Sequence, residues 1–204
     1  MPIVNKANGL LAEFAIFPVE PARQASLAER VIQNIDTLKH HPGFASGTVL
    51  RSRDGSRVTS YVQWIDLASY VATQPFTDVA APDIHIFEIF AAEPENTELQ
   101  LSSNMSGFIN FGIFKMKQPE NQPRFIELFR QALEMVSGQA GLISTHAHRS
   151  FDGWRCINFG HWESVEKFTA MDSNRPFSPL FGEMLDLADN EYQKTLHEVV
   201  FTTE

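Results

Sequence analysis

Three side chains in the last quarter of the sequence have types and a spacing that suit them to line a binding pocket. An alternating run of apolar and polar residues ends on Trp162, and Ser164 follows as a helix-capping residue, which predicts a strand running into a helix. Asn158 lies four residues before Trp162 on the same strand face, and Phe168 on the helix can fold back over that face. A buried amide destabilises a strand unless it is hydrogen-bonded, so Asn158 favours a binding role. Trp162 by itself is equally well explained as a ring that anchors strand to helix.

The same arrangement occurs in a weaker form 98 residues earlier. There an alternating run ends on Trp64, Ser60 stands in the place of Asn158, and Tyr70 stands in the place of Phe168. The two copies predict two related sites, and the amide makes the second copy the stronger candidate.

Two histidines on the preceding strand are further candidates. His146 and His148 alternate and therefore share one face, where an imidazole could act as a base towards a phenol or the pair could hold a metal ion. No carboxylate stands at ligand spacing nearby, so a surface or pocket-lining pair is favoured and no metal is predicted. His85 and His197 stand near the start of matching strands at an offset of 112 residues, and structural packing is the default interpretation for both.

Both candidate sites belong to a repeated series of elements. The predicted order is strand, helix, strand, strand, helix, strand, and it occurs twice. Phe14–Phe17 in the first strand matches Phe111–Phe114 at an offset of 97 residues. We therefore predict a first repeat over 1–92, a linker over 93–107 and a second repeat over 108–204.

Each repeat predicts a ferredoxin-like βαββαβ unit, an α+β arrangement in which helices cover one face of a sheet. The other sheet face would be bare, so we expect the two sheets to pack on each other. The fold prediction is a tandem repeat packed as an intramolecular dimeric α+β barrel with its helices outside. The second repeat has about fourteen extra residues, and apolar side chains at helical spacing predict an additional helix at about 176–195.

The sequence resembles the antibiotic-biosynthesis monooxygenase family, whose third strand tends to read Asn, three residues, Trp, with a Tyr six residues further on. Asn158 and Trp162 match that pattern, and Phe168 replaces the Tyr. In the first half Trp64 and Tyr70 match, and Ser60 replaces the Asn. The resemblance covers most of both halves and implies the same barrel fold.

For function, the resemblance implies a monooxygenase that oxidises a polycyclic phenol, such as an anthrone or a quinol, with O2 and without a metal, flavin or other cofactor. Such a substrate can itself pass an electron to O2, so the protein needs a dry, ring-lined pocket and a polar group for the oxyanion. Under this interpretation Asn158 holds a substrate oxygen or a peroxide, Trp162 orients the rings and donates its indole N–H, and Phe168 closes the pocket. The first-half counterparts would bind substrate at the related site.

Two other functions fit the same fold. A barrel that has lost its chemistry would bind a small molecule or serve only a structural role. The fold also resembles heme-degrading enzymes, which need an axial His about ten residues past the strand-end Trp. Gln74 and Asp172 occupy those places, so heme is disfavoured, and Asn110 in the first strand of the second half leaves heme binding open.

Composition limits the partners. The chain has 16 basic and 25 acidic residues and a formal charge of -9, which argues against nucleic acid or an anionic membrane as a partner. Cys156 is the single cysteine, so no internal disulfide forms and a reducing compartment fits. No signal-peptide layout and no apolar run of about 20 residues is present, so we expect a cytoplasmic protein. We expect the two-repeat chain to bind an aromatic small-molecule substrate and O2, and a homodimer of this chain is compatible with the sequence.

Overall fold

The computed structural model describes residues 2–73, 83–174, 178–191 and 195–203. Eight long strands make up most of the fold: β2 (Leu11–Pro18), β3 (Phe44–Ser52), β4 (Arg57–Trp64), β5 (Asp83–Glu93), β7 (Phe108–Met116), β8 (Leu142–Ser150), β9 (Arg155–Trp162) and β11 (Leu196–Thr202). Three short strands accompany them: β1 (Ile3–Val4), β6 (Leu99–Gln100) and β10 (Ala188–Asn190). Gln74 and the rest of 74–82 lie outside the described residues.

The described segments contain five α-helices that connect the strands: α1 (Gln24–Leu38), α2 (Leu67–Ala72), α3 (Gln122–Val136), α4 (Val165–Asn174) and α5 (Ser178–Leu187). The two long helices, α1 and α3, bury the apolar side chains that recur three and four residues apart, such as Val31 and Ile35 on α1. No helix among the described residues is long and apolar enough to cross a membrane.

The eight long strands form a closed antiparallel barrel in the order β2, β4, β3, β11, β7, β9, β8, β5 and back to β2. The fourth strand of each half pairs with the second strand of the other half, β5 with β8 and β11 with β3. Closure leaves none of these strands at an open edge. The predicted fold class, an α+β barrel built within one chain from two ferredoxin-like units, is confirmed.

The strand pairing shows how the halves correspond. Trp64 pairs with Leu11 and Phe44, and Trp162 pairs with Phe108 and Leu142, so the two tryptophans occupy equivalent places. The predicted match of the last strands was wrong by two residues. His197 pairs with Ser52, whereas the residue that pairs with Ser150 is Phe87, so the structural offset is 110 residues and His197 corresponds to Phe87.

The barrel interior is filled by side chains from both halves. Phe14 lies at its centre and makes edge-to-face contacts with Tyr61, Phe87 and Phe111, with ring centroids 4.9, 5.3 and 5.8 Å away. Val4, Leu99 and Leu101 from the N-terminal segment and the connection between the halves complete this core. The inner face of the sheets therefore forms a packed core, and a ligand site must be sought on the outer face.

The outer face is covered differently in the two halves. Helix α1 packs directly on β3 and β4, whereas α3 packs mainly on α5. The extra helix predicted at about 176–195 is shorter than expected: α5 ends at Leu187, and the next three residues form β10, because they pair with the end of β7. The limits of the two repeats and of the linker remain predictions.

Candidate active site

A cavity lies in the second half, between the outer face of the sheet and helices α3, α4 and α5. The cavity itself has a volume of about 90 Å³ and lies within a depression of about 740 Å³ that includes open solvent. Its wall is mostly apolar, which suits an apolar or aromatic ligand. The wall is formed by Asn110, Gly112 and Phe114 of β7, Phe129, Ala132, Leu133 and Val136 of α3, Leu142 and Thr145 of β8, Asn158 and Trp162 of β9, Met171 and Asp172 of α4, Phe181 and Met184 of α5, and Asn190 of β10.

Asn158 lies on the pocket wall, half-buried, as the strand alternation predicts. The hydroxyl of Thr145 on the neighbouring strand β8 donates a hydrogen bond to its Oδ1 atom. In the part of the chain that the structure describes, this is the one hydrogen bond of the Asn158 side chain. The amide NH₂ is therefore available to donate to a ligand.

Trp162 is also on the pocket wall, but its indole N–H is already engaged. The Nε1 atom donates to Oδ1 of Asn110 at 2.8 Å. Gly160 makes room for this contact, because a Cβ atom there would lie 2.3 Å from Asn110 Oδ1. The indole N–H is therefore not available to a substrate as predicted, and Trp162 borders the cavity through its ring.

Phe168 packs against Trp162 with its ring centroid 5.5 Å away and its plane at 71°. It is almost fully buried and is not among the residues that line the cavity. Its position supports the orientation of Trp162. The residues that α4 and α5 contribute to the wall include Met171 and Phe181.

In the first half, the described residues pack closely at the corresponding place. Trp64 is fully buried, and Tyr70 packs against it at 6.1 Å. The hydroxyl of Ser60 is buried and has no hydrogen-bond partner among the described residues. A Cβ atom on Gly47 would lie 2.5 Å from Ile35 of α1, so the helix is pressed onto the sheet here. The structure does not bring Trp64, Tyr70 and Ser60 together with the second-half cavity.

Glu13 takes the place of Asn110 in this half. Its Oε2 atom accepts the indole N–H of Trp64 at 2.9 Å, and its Oε1 atom has no partner among the described residues. Burial raises the pKa of the Glu13 carboxyl to about 7, and the hydrogen bond from Trp64 offsets only part of this effect.

His146 and His148 do not belong to the candidate site. Both are fully buried on the inner face of β8, across the sheet from Asn158, because Thr145 and Ala147 take the outer face. His148 contacts the hydroxyl of Tyr61 at 3.4 Å in the barrel core. Burial lowers the pKa of His146 to about 4 and that of His148 to about 3. A general-base role towards a ligand in this cavity is therefore corrected to a packing role in the core.

Among the residues described, no three His, Cys, Asp or Glu side chains gather in a way that could hold a metal ion. His85 is partly exposed and bridges two carboxylates, Asp83 at 2.9 Å and Asp152 at 3.2 Å. These ion pairs explain the position of His85 without a ligand.

Several wall residues were missed from the sequence. Asn110 and Thr145 lie on strands other than that of Asn158, and Phe181 and Met184 come from the inserted helix. The sequence did contain a signal for Thr145. It corresponds to Gly47 at the repeat offset of 98 residues, so the second repeat has a polar side chain where the first has no side chain.

No family model matches the sequence. A segment of 73 residues is 34% identical to the tetracenomycin-F1 monooxygenase of Streptomyces glaucescens, and it covers 35% of this chain and 65% of that protein. The match thus spans less than two thirds of this relative.

Solved structures extend the likeness to the whole chain. An anthrone oxidase-like protein superposes with a TM-score of 0.84 at 16% identity, over 99% of this chain and 96% of that one. A ferredoxin-fold protein from Listeria monocytogenes, related to antibiotic biosynthesis monooxygenases, gives a TM-score of 0.52 at 12% identity over 94% and 96% of the two chains.

The chain has the fold of the antibiotic-biosynthesis monooxygenases. A monooxygenase-like protein from Listeria innocua gives the same result, with a TM-score of 0.52 at 13% identity over 95% and 96% of the two chains. The fold that the family resemblance implies is thereby confirmed.

Proposed function

We propose that this chain is a monooxygenase that oxidises a polycyclic phenol of the anthrone or quinol kind with O2, in the second-half cavity. The observation that carries the proposal is a ring-lined cavity into which a fixed amide, that of Asn158, presents free N–H donors. The relative that acts as tetracenomycin-F1 monooxygenase supports the reaction class.

The chemistry needs one oxygen atom from O2. For an anthrone, the ring methylene becomes a carbonyl, one oxygen atom enters the product, and the other leaves as water with the two methylene hydrogens. The electron-rich enolate of the substrate reduces O2 directly, so the proposal includes independence from metal and flavin.

The protein contributes stabilisation of the substrate anion. A hydrogen bond from the Asn158 amide to the substrate oxygen strengthens as negative charge develops there, and it acts in a largely apolar cavity. An oxyanion held in this way makes the substrate a stronger acid in the pocket than in water. The face of Trp162 and the rings of Phe114, Phe129 and Phe181 hold the substrate plane.

The test is O2 uptake with a panel of anthrones and hydroquinones in chelator-treated buffer. The native protein should consume O2 above the spontaneous rate with at least one compound, and Asn158→Ala should lose most of that rate. Labelling with ¹⁸O₂ should place one labelled atom in the product. Tight binding of the panel without any uptake would replace this proposal by the non-catalytic small-molecule-binding barrel.

A further inference from the structure

Thr145 and Asn158 form a polar pair in an otherwise apolar wall. They lie on adjacent strands β8 and β9, where Thr145 pairs with Gly160 and Asn158 pairs with Ala147, so the two side chains are diagonal neighbours on the outer face. Thr145 is almost fully buried, and its hydroxyl donates to Asn158 Oδ1.

This hydrogen bond determines whether the Asn158 amide presents a donor or an acceptor to the cavity. A carboxamide has one acceptor oxygen and two N–H donors, and a hydroxyl has one proton to give. With the Thr145 proton on Oδ1, the Asn158 amide presents donors to the cavity. A ligand then has to supply an acceptor, such as a ketone oxygen or an oxyanion, rather than a hydroxyl that donates.

The first half has neither member of the pair. Gly47 stands in the place of Thr145, and Ser60 stands in the place of Asn158 with an unpartnered, buried hydroxyl among the described residues. The polar pair is thus confined to the half that contains the cavity, and the fold can be built without it.

We propose that Thr145 is a positioning residue, which holds the Asn158 amide with its NH₂ group towards the cavity so that the site selects fused-ring ligands that bind through an oxyanion or ketone oxygen. The choice of ligand class rests on the proposed function. Thr145 itself acts through Asn158 and does not need to touch the ligand.

The test uses a hydroxyanthraquinone dye, whose phenol and phenolate forms differ in visible absorption. The pKa of the bound dye is titrated in the native protein, in Thr145→Val, in Thr145→Ser and in Asn158→Asp. Thr48→Val is the matched control, because it removes a buried strand hydroxyl that has no hydrogen-bond partner among the described residues.

We expect the native protein and Thr48→Val to lower the pKa of the bound dye by about one unit, as a donor to the phenolate does. Thr145→Val should lose most of that shift and weaken phenolate binding about tenfold, whereas Thr145→Ser should keep most of it. Asn158→Asp retains an acceptor for Thr145 but replaces the donors by a carboxylate, so it should raise the dye pKa above that of the free dye.

An unchanged dye pKa in Thr145→Val would overturn the inference, as would a dye pKa in Asn158→Asp equal to the native value. Near-ultraviolet circular dichroism checks the fold of each variant, and if Thr145→Val does not fold, Thr145→Ala, which also lacks the hydroxyl, is compared with Thr145→Ser instead. The O2-uptake assay is separate. If the native protein oxidises no anthrone but all variants shift the dye pKa as expected, the proposed function is wrong and the positioning role of Thr145 is supported.

Discussion

Trp64 and Trp162 end equivalent strands in the two halves, and each donates its indole N–H to a side chain on the neighbouring strand. In the first half the acceptor is Glu13 at 2.9 Å, and in the second it is Asn110 at 2.8 Å. The carboxyl is buried and has a raised pKa, whereas the amide carries no charge at any pH. Both halves therefore anchor the tryptophan in the same way. They differ in the packing around it, which leaves a cavity beside Trp162.

Packing of the helices explains that space. In the first half α1 lies directly on β3 and β4, where Gly47 admits Ile35. In the second half α3 packs on α5, which is itself fixed by hydrogen bonds from Lys117 to the carbonyls of Leu185 and Asp186 at 2.6 and 3.2 Å. The inserted helix contributes wall residues that have no counterpart in the first half.

The sheet residues differ in both directions. Gly112 and Ala147 are smaller than Ala15 and Val49, whereas Thr145 and Asn158 are larger than Gly47 and Ser60. The comparison teaches that a duplicated unit acquires a cavity when an inserted helix takes over the packing of α3. In the first half, where α1 packs directly on the sheet, the same region is part of the hydrophobic core.

The largest expected effect comes from giving the second half the residue of the first. Asn158→Ser, which copies Ser60, should lower kcat/KM for O2-dependent oxidation by about 10²–10³-fold, because a donor to the developing oxyanion is lost. Steady-state O2 uptake measures this. The reciprocal Ser60→Asn should add no activity, since the space around it is packed. A rate for Asn158→Ser within threefold of native would contradict the role of the amide.

Glu13→Gln tests the charged acceptor of the first half. The folded pKa of about 7 lies above the unfolded value of 4.5, so the contribution to stability is fully present below pH 4.5 and is lost as the pH rises through 7. The loss amounts to about 3 kcal/mol above pH 7. Glu13→Gln should remove this dependence and unfold at higher urea than native at pH 8.

Urea unfolding of both proteins at pH 4.5 and pH 8 gives the comparison. The matched variant is Asn110→Asp, which places a carboxyl at the corresponding position of the second half. Its free energy of unfolding should depend on pH in the same direction as the Glu13 contribution does in the native protein. Parallel pH curves for native and Glu13→Gln would show that the buried carboxyl does not titrate as described.

His197→Phe tests how stability depends on pH under acidic conditions. Phenylalanine is the replacement because Phe87 occupies the equivalent place in the first half. Burial, with a smaller effect of Arg57, lowers the pKa of His197 from 6.5 to about 4, so its contribution to stability is present above pH 6.5 and is lost as the pH falls towards 4. Between pH 6.5 and 5 this loss is about 2 kcal/mol. The variant should lose less stability than native over that interval, and an equal loss in urea unfolding would refute the assignment.

Elements and repeats could be predicted from the sequence because they depend on local periodicity. The alternation that ends at Trp162 placed Asn158 on the correct face with it, and both now line the cavity. The two tryptophans matched at one offset because the pairing of the third strand is the same in each half. Local pattern therefore gave the scaffold and the centre of the candidate site.

Long-range pairing could not be predicted in the same way. Alternation shows that His146 and His148 share a face, but only the pairing of β8 with β5 and β9 shows that this face is the barrel core. The acceptor for Trp162 is 52 residues away in sequence, and its identity depends on the register of β7 with β9. The two-residue error at His197 has the same origin. His197 was matched to His85 because the residue types agree, whereas the strand register makes it equivalent to Phe87.

The smallest expected effect concerns Gly160, which lets Asn110 reach Trp162. Gly160→Ala would place a Cβ atom 2.3 Å from Asn110 Oδ1, so the hydrogen bond from the indole must lengthen or break. A buried hydrogen bond with one partner displaced costs about 1–2 kcal/mol, and we expect that loss in urea unfolding together with a shift in Trp162 fluorescence. Gly182→Ala is the control, because a Cβ atom there meets no atom within 4 Å and alanine favours helix α5. If both variants were as stable as native, the indole–amide bond would not be what holds Trp162 in place, and the equivalence with the Trp64–Glu13 pair would be one of position alone.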